Sequence, residues 1–395
     1  MSHFGMNAGS LRLLIFSIDT NFLGLARLPK ALNKAGFEVA ALCPVNAFLS
    51  KTRYLNQHFP LATTKNASKL IKQLVTTVQT WQPDMLIYGD ETTVAFVHFI
   101  IHKLQNFLSV IPNPVLKLLK SSLGNPQFFA ATLRKHRTLE LAIELGLRTP
   151  TIARVAMPEQ ALQFVEANGY PVVLKKDFCW SGVGVKICRN ESELLSAIND
   201  FLPHPPSLPK SFAKQLLQQD WFPKTEVLSI QQFIQGKTAM HPIVALDGEV
   251  LAGFVAIKEL TCSETGPSSV IKLTNHAEMR ATVLKLVKHF QFSGFASFDF
   301  LIDENTNYAY LVECNPRPVP ICHLGARVGV DLCQSLFNTL SGHSLEPQLT
   351  VEREDLVALF PQEWRRDSNS SYLHQVYHDV PWDDVLLLKA YLTQM

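Results

Sequence analysis

The first apolar run of the chain is continuous. Residues 11–18, LRLLIFSI, show no polar alternation over their central part, the pattern of a parallel strand buried on both faces. Leu25, Leu28, Ala31 and Leu32 then recur at helical spacing. Gly36 follows as a stop, and FEVAALC reads as the next strand. A second unit repeats this order. Ala67 to Trp81 is amphipathic, and PDMLIYGDE is a strand that runs into a polar loop. Strands alternating with helices predict a parallel sheet flanked by helices. No GxGxxG separates the first strand from its helix, so the dinucleotide fingerprint is absent.

A proline-interrupted helical stretch covers about 94–124. Asn125-Pro126 has the form of an N-cap with proline at the first helical position. Helical spacing, with a break left open, continues through LRKHRTLELAIEL to Gly146. Pro158 to Asn168 is a further helix closed by Gly169. The pattern then changes. PVVLKK and VKICR are short strands around a glycine-containing loop, and a helix starts near Asn190. Residues 203–211, PHPPSLPKS, read as a proline-rich surface loop. From Ile230 into the 310s the pattern is mostly strands with one long helix, Asn275 to Phe290, an antiparallel α+β block. The last fifty residues carry aromatics but no chemical motif.

Composition narrows the class. At roughly 100–200 residues per domain, 395 residues suggest two or three domains. With 47% hydrophobic and 18% charged residues, the chain is an ordinary globular one. Its formal net charge of +2 gives no reason to expect nucleic acid or a membrane surface as partner. The longest strongly apolar run, Thr92 to His102, is short of the roughly 20 residues of a spanning helix. The first ten residues lack a basic segment followed by an apolar one, so no secretion signal is expected. Seven cysteines, none in a CxxC pair and mostly inside apolar segments, fit buried thiols in a reducing cytosol and argue against zinc.

Four segments carry candidate chemistry. In GFASFDFLIDENTNYAYLVECNPRP, 294–318, two strands flank Asn305-Thr306-Asn307. A hairpin symmetric about Thr306 sets Asp299 opposite Glu313, with side chains about 5 Å apart. Facing carboxylates repel unless something positive lies between them, and a hard divalent cation with oxygen ligands is one solution. Strand alternation puts Asn315 on the same face, and Arg317, two residues on, could hold a phosphate. A solvated hairpin face fits the same pattern. Phe298, Phe300 and Val312 alternate with the acidic residues and are expected on the core face. In GYPVVLKKDFCWSGVGVKI, 169–187, Lys175 leads into Ser181-Gly182-Val183-Gly184, either a backbone phosphate cradle or a tight turn. Lys135, eleven residues before Gly146, reads by itself as a solvated helix lysine. Gln231-Gln232-Phe233-Ile234, on a strand that ends at Gly236, reads by itself as plain sheet, although its backbone could meet an adenine edge.

Taken together and in this order, the segments resemble the ATP-grasp superfamily: a lysine on a helix before a glycine-then-proline turn, GYPVVLK with a glycine loop, the strand QQFI, then FDF and ECNPR. The resemblance covers about residues 11–340. It implies an α/β N-terminal parallel-sheet domain followed by an α+β ATP-grasp fold. The implied boundaries are a pre-ATP-grasp α/β domain over 1–124 and an ATP-grasp domain over 125–345, its lid at about 150–228 and its metal-bearing half at about 229–345. Residues 346–395 are then a tail packed on the body. It implies that Lys135 and Lys175 hold the α- and β-phosphates, and that Ser181, Gly182 and Gly184 belong to the loop over the triphosphate. Gln231, Gln232, Phe233 and Ile234 are the implied adenine segment, through the Gln232 carbonyl and the Ile234 N–H. Asp299, Glu313 and Asn315 are the implied Mg²⁺ (or Mn²⁺) ligands, and Arg317 the implied catalytic residue that steadies the transferred phosphate. His323 stands where some members carry a histidine. Two positions depart from the family pattern: Thr238 stands two residues after the hinge glycine in place of an acid, and Trp180 thins the glycine loop.

The implied activity is an ADP-forming ligase that activates a carboxylate as an acyl phosphate for attack by an amine or similar nucleophile. The implied partners are ATP and small-molecule carboxylate and amine substrates, in a cytoplasmic protein whose oligomeric state is open. The alternatives are a catalytically inactive nucleotide-binding regulator and a kinase or carboxyphosphate-forming enzyme on the same scaffold. No biotin-carrier motif and no second grasp copy is present, which argues against a carboxylase or a full carbamoyl-phosphate synthetase. Lys258, the loop Thr265-Gly266-Pro267-Ser268-Ser269 and Arg327 are the candidate substrate lining.

Overall fold

The protein is described here from a computed structural model that covers residues 10–62, 66–103, 111–177, 184–202, 228–264, 266–343 and 346–393. The 203–211 loop lies outside the described residues. Strands β1 (Arg12–Phe16), β2 (Glu38–Cys43), β3 (Gln57–Pro60) and β4 (Met85–Tyr88) form a parallel sheet in the order β3-β2-β1-β4. The continuous apolar run of β1 has a direct cause. Leu14 and Phe16 enter one core cluster, whereas Leu13 and Ile15 enter the other on the opposite face. Strand β3 at the sheet edge has no apolar run, and the hydrophobic pattern does not reveal it. The apolar run Thr92–His102 lies in the helix Glu91–Lys103, with Val94, Phe96, Val97, Ile100 and Ile101 in the core. Among the described residues no helix is long and apolar enough to cross a membrane.

The Asn125 side chain accepts from the Gln127 N–H and opens a 3-10 turn, Pro126–Phe128. Helix Phe129–Leu133 follows, and then a break. Arg134 is extended (φ −102, ψ 119), so a separate helix, Lys135–Glu144, begins at Lys135. The second sheet is antiparallel. It contains β5 (Ile152–Val155), β6 (Val172–Lys176), β7 (Val185–Cys188) and β8 (Leu228–Gln232) in the order β5-β8-β6-β7. Helices Pro158–Asn168 and Glu191–Phe201 share a small core of their own with this sheet, including Phe164, Leu174 and Ile198.

The third sheet is built from β9 (Gly236–Leu246), β10 (Glu249–Gly253), β11 (Val255–Thr261), β12 (Ser268–Thr274), β13 (Gly294–Asp303), β14 (Ala309–Asn315), β15 (Asp355–Ala358) and β16 (Tyr377–His378). Its order is β14-β13-β9-β11-β12-β15-β16, with β10 beside β9. Gly236 opens β9 rather than closing β8, which corrects the sequence reading. A Cβ there would lie 1.9 Å from the Ile302 carbonyl oxygen, so only glycine lets β9 pass this close to β13.

Residues from the C-terminal segment complete this body. Strands β15 and β16 extend the large sheet, and Leu387 and Tyr391 pack with Ala26 and Phe48. Arg27 donates to the Asp379 backbone oxygen (2.8 Å) and carboxylate (2.7 Å), while His323 Nε2 is 3.0 Å from the other carboxylate oxygen. Burial pushes the Asp379 carboxyl up, but His323 and Arg27 together hold it below the usual carboxylate range. Asp379→Ala leaves the Arg27 guanidinium buried without its counter-charge. A loss of about 3–5 kcal/mol is expected in urea unfolding, and a loss under 1 kcal/mol would show that this triad is not a structural tie.

Candidate active site

A cleft of about 440 Å³ opens between the second sheet and the face of the large sheet. Its floor is a row of side chains across successive strands: Glu313 and Asn315 from β14, Asp299 and Leu301 from β13, Thr238 and Met240 from β9, Lys258 from β11. Its roof comes from the second sheet, with Val173, Lys175, Val185 and Ile187. Lys135, the first residue of its helix, also enters the cleft.

Asp299 pairs directly with Glu313. The hairpin does not turn symmetrically about Thr306, however. Asp303 accepts at Oδ1 from the N–H groups of Asn305 and Thr306, and its own N–H donates to the Tyr308 carbonyl. The ladder near the tip is therefore offset by one from the expected register, with Phe300 opposite Leu311. A β-bulge restores it before the carboxylates. Val312 is the extra residue, and it faces the cleft instead of the core, contrary to simple alternation. Phe298 and Phe300 are in the core as expected.

The positive partner of Glu313 is a lysine. Lys135 Nζ lies 2.7 Å from Glu313 Oε2, with both side chains largely buried. Burial alone would raise the Glu313 carboxyl, but the ammonium of Lys135, with Lys175 behind it, drives it well below the usual range. Asp299 is pushed up, first by burial and then by the neighbouring Glu313 charge. One of its oxygens, Oδ1, is buried with no hydrogen-bond partner among the described residues. Below about pH 7 the two carboxylates together thus carry close to one negative charge. The Asn315 amide nitrogen faces Glu313 at 3.4 Å. Two opposed carboxylates, an orphaned buried oxygen and an amide form an oxygen-rich donor set, and it fits a hard divalent cation better than a soft one.

Arg317 is buried beside this set. Its guanidinium pairs with Glu91 through Nη2, donates to the Pro318 carbonyl at 3.0 Å, and stands 4.6 Å from the centre of the Phe22 ring. Its Nε has no hydrogen-bond partner among the described residues. Glu91 begins the helix that follows β4, and the preceding Asp90 ties the loop after β1 by accepting from the N–H groups of Ile18 and Asp19 and from the Ser17 hydroxyl. The helix that follows the parallel sheet thus positions the arginine just beyond β14.

Asp177 is almost fully buried two residues after Lys175. It accepts from Arg134 at 2.6 Å and lies 2.5 Å from His136 Nδ1. Arg134 and His136 flank Lys135, so one short segment grips the root of the β6–β7 connection and β14 together.

The remaining candidates separate. Gln231, Phe233 and Ile234 line the cleft. The Gln232 side chain is exposed and reaches Thr151. Ser181 and Gly182 lie outside the described residues, as does Thr265. Gly184 is buried and accepts from the Lys176 N–H, which closes the β6–β7 hairpin. Lys258, Gly266, Pro267 and Ser268 line the cleft. Arg327 does not; it pairs with Asp355 and stacks on Tyr377 at 3.6 Å, which corrects its expected place at the substrate. His323 is likewise committed to Asp379. The sequence reading did not assign Glu91, Phe22, Asp177, Leu359 or Gln362. For Glu91 a signal existed: polar residues at the carboxyl end of a parallel strand.

Residues 135–215 match the family described as "Carbamoyl-phosphate synthase L chain, ATP binding domain". The chain is 21% identical over 276 residues to the carbamoyl phosphate synthase large chain of Thermotoga petrophila, covering 64% of this chain and 23% of that protein. It therefore spans under a quarter of the length of that relative. Among solved structures, it is similar to the biotin carboxylase domain of the Hydrogenobacter thermophilus 2-oxoglutarate carboxylase, in complex with MgADP, ADP and bicarbonate (TM-score 0.62, 17% identity, 88% of this chain and 74% of that one). It is also similar to N5-carboxyaminoimidazole synthetase from Staphylococcus aureus complexed with ADP (TM-score 0.61, 16% identity, 90% and 84%). An α/β parallel-sheet unit followed by two sheets enclosing a cleft, with these neighbours, means that the chain carries the ATP-grasp fold.

Proposed function

We propose that the protein is an ATP- and Mg²⁺-dependent ligase that activates a carboxylate as an acyl phosphate for attack by an amine or similar nucleophile. The observation that carries this reading is the opposed pair Asp299–Glu313 on the cleft floor, with Lys135 and Lys175 projecting into the same cleft. Asp299, Glu313 and Asn315 would hold the cation, which supplies neutralising charge to the triphosphate. Lys135 and Lys175 bind phosphate oxygens, and Gln231, Phe233 and Ile234 flank the adenine.

The chemistry asks for charge control, because a carboxylate and a γ-phosphate are both anions. A carboxylate oxygen attacks the γ-phosphorus, and the bond to the β–γ bridging oxygen breaks, with its electron pair leaving on ADP. Arg317 steadies the phosphoryl group in transit. The amine nitrogen then attacks the acyl carbon, phosphate leaves with the C–O pair, and the nitrogen's proton passes to phosphate or water. Asp177, held by Arg134 and His136, positions Lys135 and Lys175 relative to each other.

Incubation with ATP, Mg²⁺, candidate acids and amines is expected to yield ADP and phosphate in step with ligated product. AMP and pyrophosphate would contradict the reaction class. Nucleotide binding without turnover over a broad panel would favour a regulator.

A further inference from the structure

The lining of the cleft around Arg317 differs in character from its charged floor. Its walls are apolar and come from three distant parts of the chain: Phe22 after β1, Ile321 after the metal-facing strand, and Leu359 from the C-terminal segment. Two polar groups of this lining are buried with hydrogen-bonding capacity unmet among the described residues: the Arg317 Nε, a donor, and the Gln362 amide oxygen, an acceptor. Lys258 enters from the floor and makes no ion pair among the described residues. An unsatisfied buried polar group costs free energy unless a ligand or water meets it. A donor, a cation and an acceptor that line one cleft together with apolar side chains describe a ligand with an anionic head, an N–H and a hydrocarbon body.

We infer that the acid activated here is an organic monocarboxylate with an apolar body and a nitrogen-bound hydrogen, of which amino acids with apolar side chains are the simplest examples. The inference rests on the ligase reading above and narrows it. The carboxylate meets Lys258 and Arg317, the N–H meets Gln362, and the body lies against Phe22, Ile321 and Leu359. Bicarbonate, the anion of the Hydrogenobacter neighbour, could use the cations but has nothing to place on those side chains. The C-terminal segment thereby helps to choose the substrate as well as completing the sheet. A dicarboxylate would put its second charge against the apolar wall, which is unfavourable.

The test uses the full chain with Mg²⁺ and ATP. ADP release is measured with bicarbonate, acetate, succinate, glycine, leucine and phenylalanine, each with and without hydroxylamine to trap an acyl phosphate. The rise in melting temperature with MgADP is measured in parallel. At least a tenfold higher kcat/KM is expected for leucine or phenylalanine than for glycine, acetate or succinate. Leu359→Asp should cut that preference at least tenfold while leaving the KM for ATP and the MgADP shift in place. Gln362→Leu should raise the KM for the amino acid more than it lowers kcat. Turnover that is best with bicarbonate or succinate overturns the inference and leaves the ligase reading standing. A normal MgADP shift without ADP release from any acid of the panel also overturns it. Loss of the MgADP shift in the wild-type protein defeats the parent reading, and the inference with it.

Discussion

Asp299→Asn is expected to abolish Mg²⁺-dependent turnover, by several orders of magnitude, while making the free protein more stable at pH 8. Burial and the Glu313 charge raise the Asp299 carboxyl from the ordinary 3.8 to about 7. The unfolded chain ionises this group near pH 4, whereas the folded chain holds its proton to about 7. Its contribution to stability is therefore full below pH 4 and is lost as pH rises through about 7. Above that, the folded protein carries two facing carboxylate charges. Asparagine removes one charge and keeps the shape, so a gain of about 1–3 kcal/mol at pH 8 is expected, fading towards pH 4. Chemical denaturation at pH 4.5, 6 and 8 measures it. The same variant should lose the extra thermal stabilisation that ATP gains from Mg²⁺. A variant destabilised equally at all pH values, with turnover intact, would mean that the pair is merely structural.

The second large effect concerns Lys135. In the free protein its ammonium sits on Glu313, where a cation is expected in the working site. Lys135→Met removes that partner from a largely buried carboxylate. A cost of about 3 kcal/mol is expected at neutral pH, since breaking a buried pair leaves an uncompensated charge. Mg²⁺ without nucleotide should then raise the melting temperature of the variant more than that of the wild type, because the competing ammonium is gone. Turnover should fall by orders of magnitude with the loss of a phosphate contact. Identical Mg²⁺ responses in the two proteins would show that Lys135 does not compete for the carboxylates.

The sequence shows much of this site, and the misses have physical causes. The apolar runs of β1 and β4 and the amphipathic helix Ala67–Trp81 are visible because each buries faces of fixed period. The opposition of Asp299 and Glu313 is visible too, but for a partly wrong reason. Symmetry about Thr306 ignores the Asp303 side chain, which accepts from the backbone of the turn and moves its centre, and the bulge at Val312 compensates. Lys135 as the counter-ion of Glu313 is not visible, since the break at Arg134 that aims it has no strong sequence signal. Arg327 misleads because the Asp355 that claims it stands 28 positions away in the chain. Phe22, Glu91 and Leu359 meet at one end of a cleft only after three sheets have packed, and no local pattern encodes that.

The bulge also decouples shape from charge. Because two residues of β14 stand against one of β13, Val312 is surplus to the ladder: without it, Leu311 and Glu313 would still face Phe300 and Asp299. The floor of the cleft therefore holds one position whose side chain can grow, shrink or disappear while the paired carboxylates keep their register. Such a position lets the contour of the cleft floor vary, as in an engineered variant, without a compensating change at the paired carboxylates.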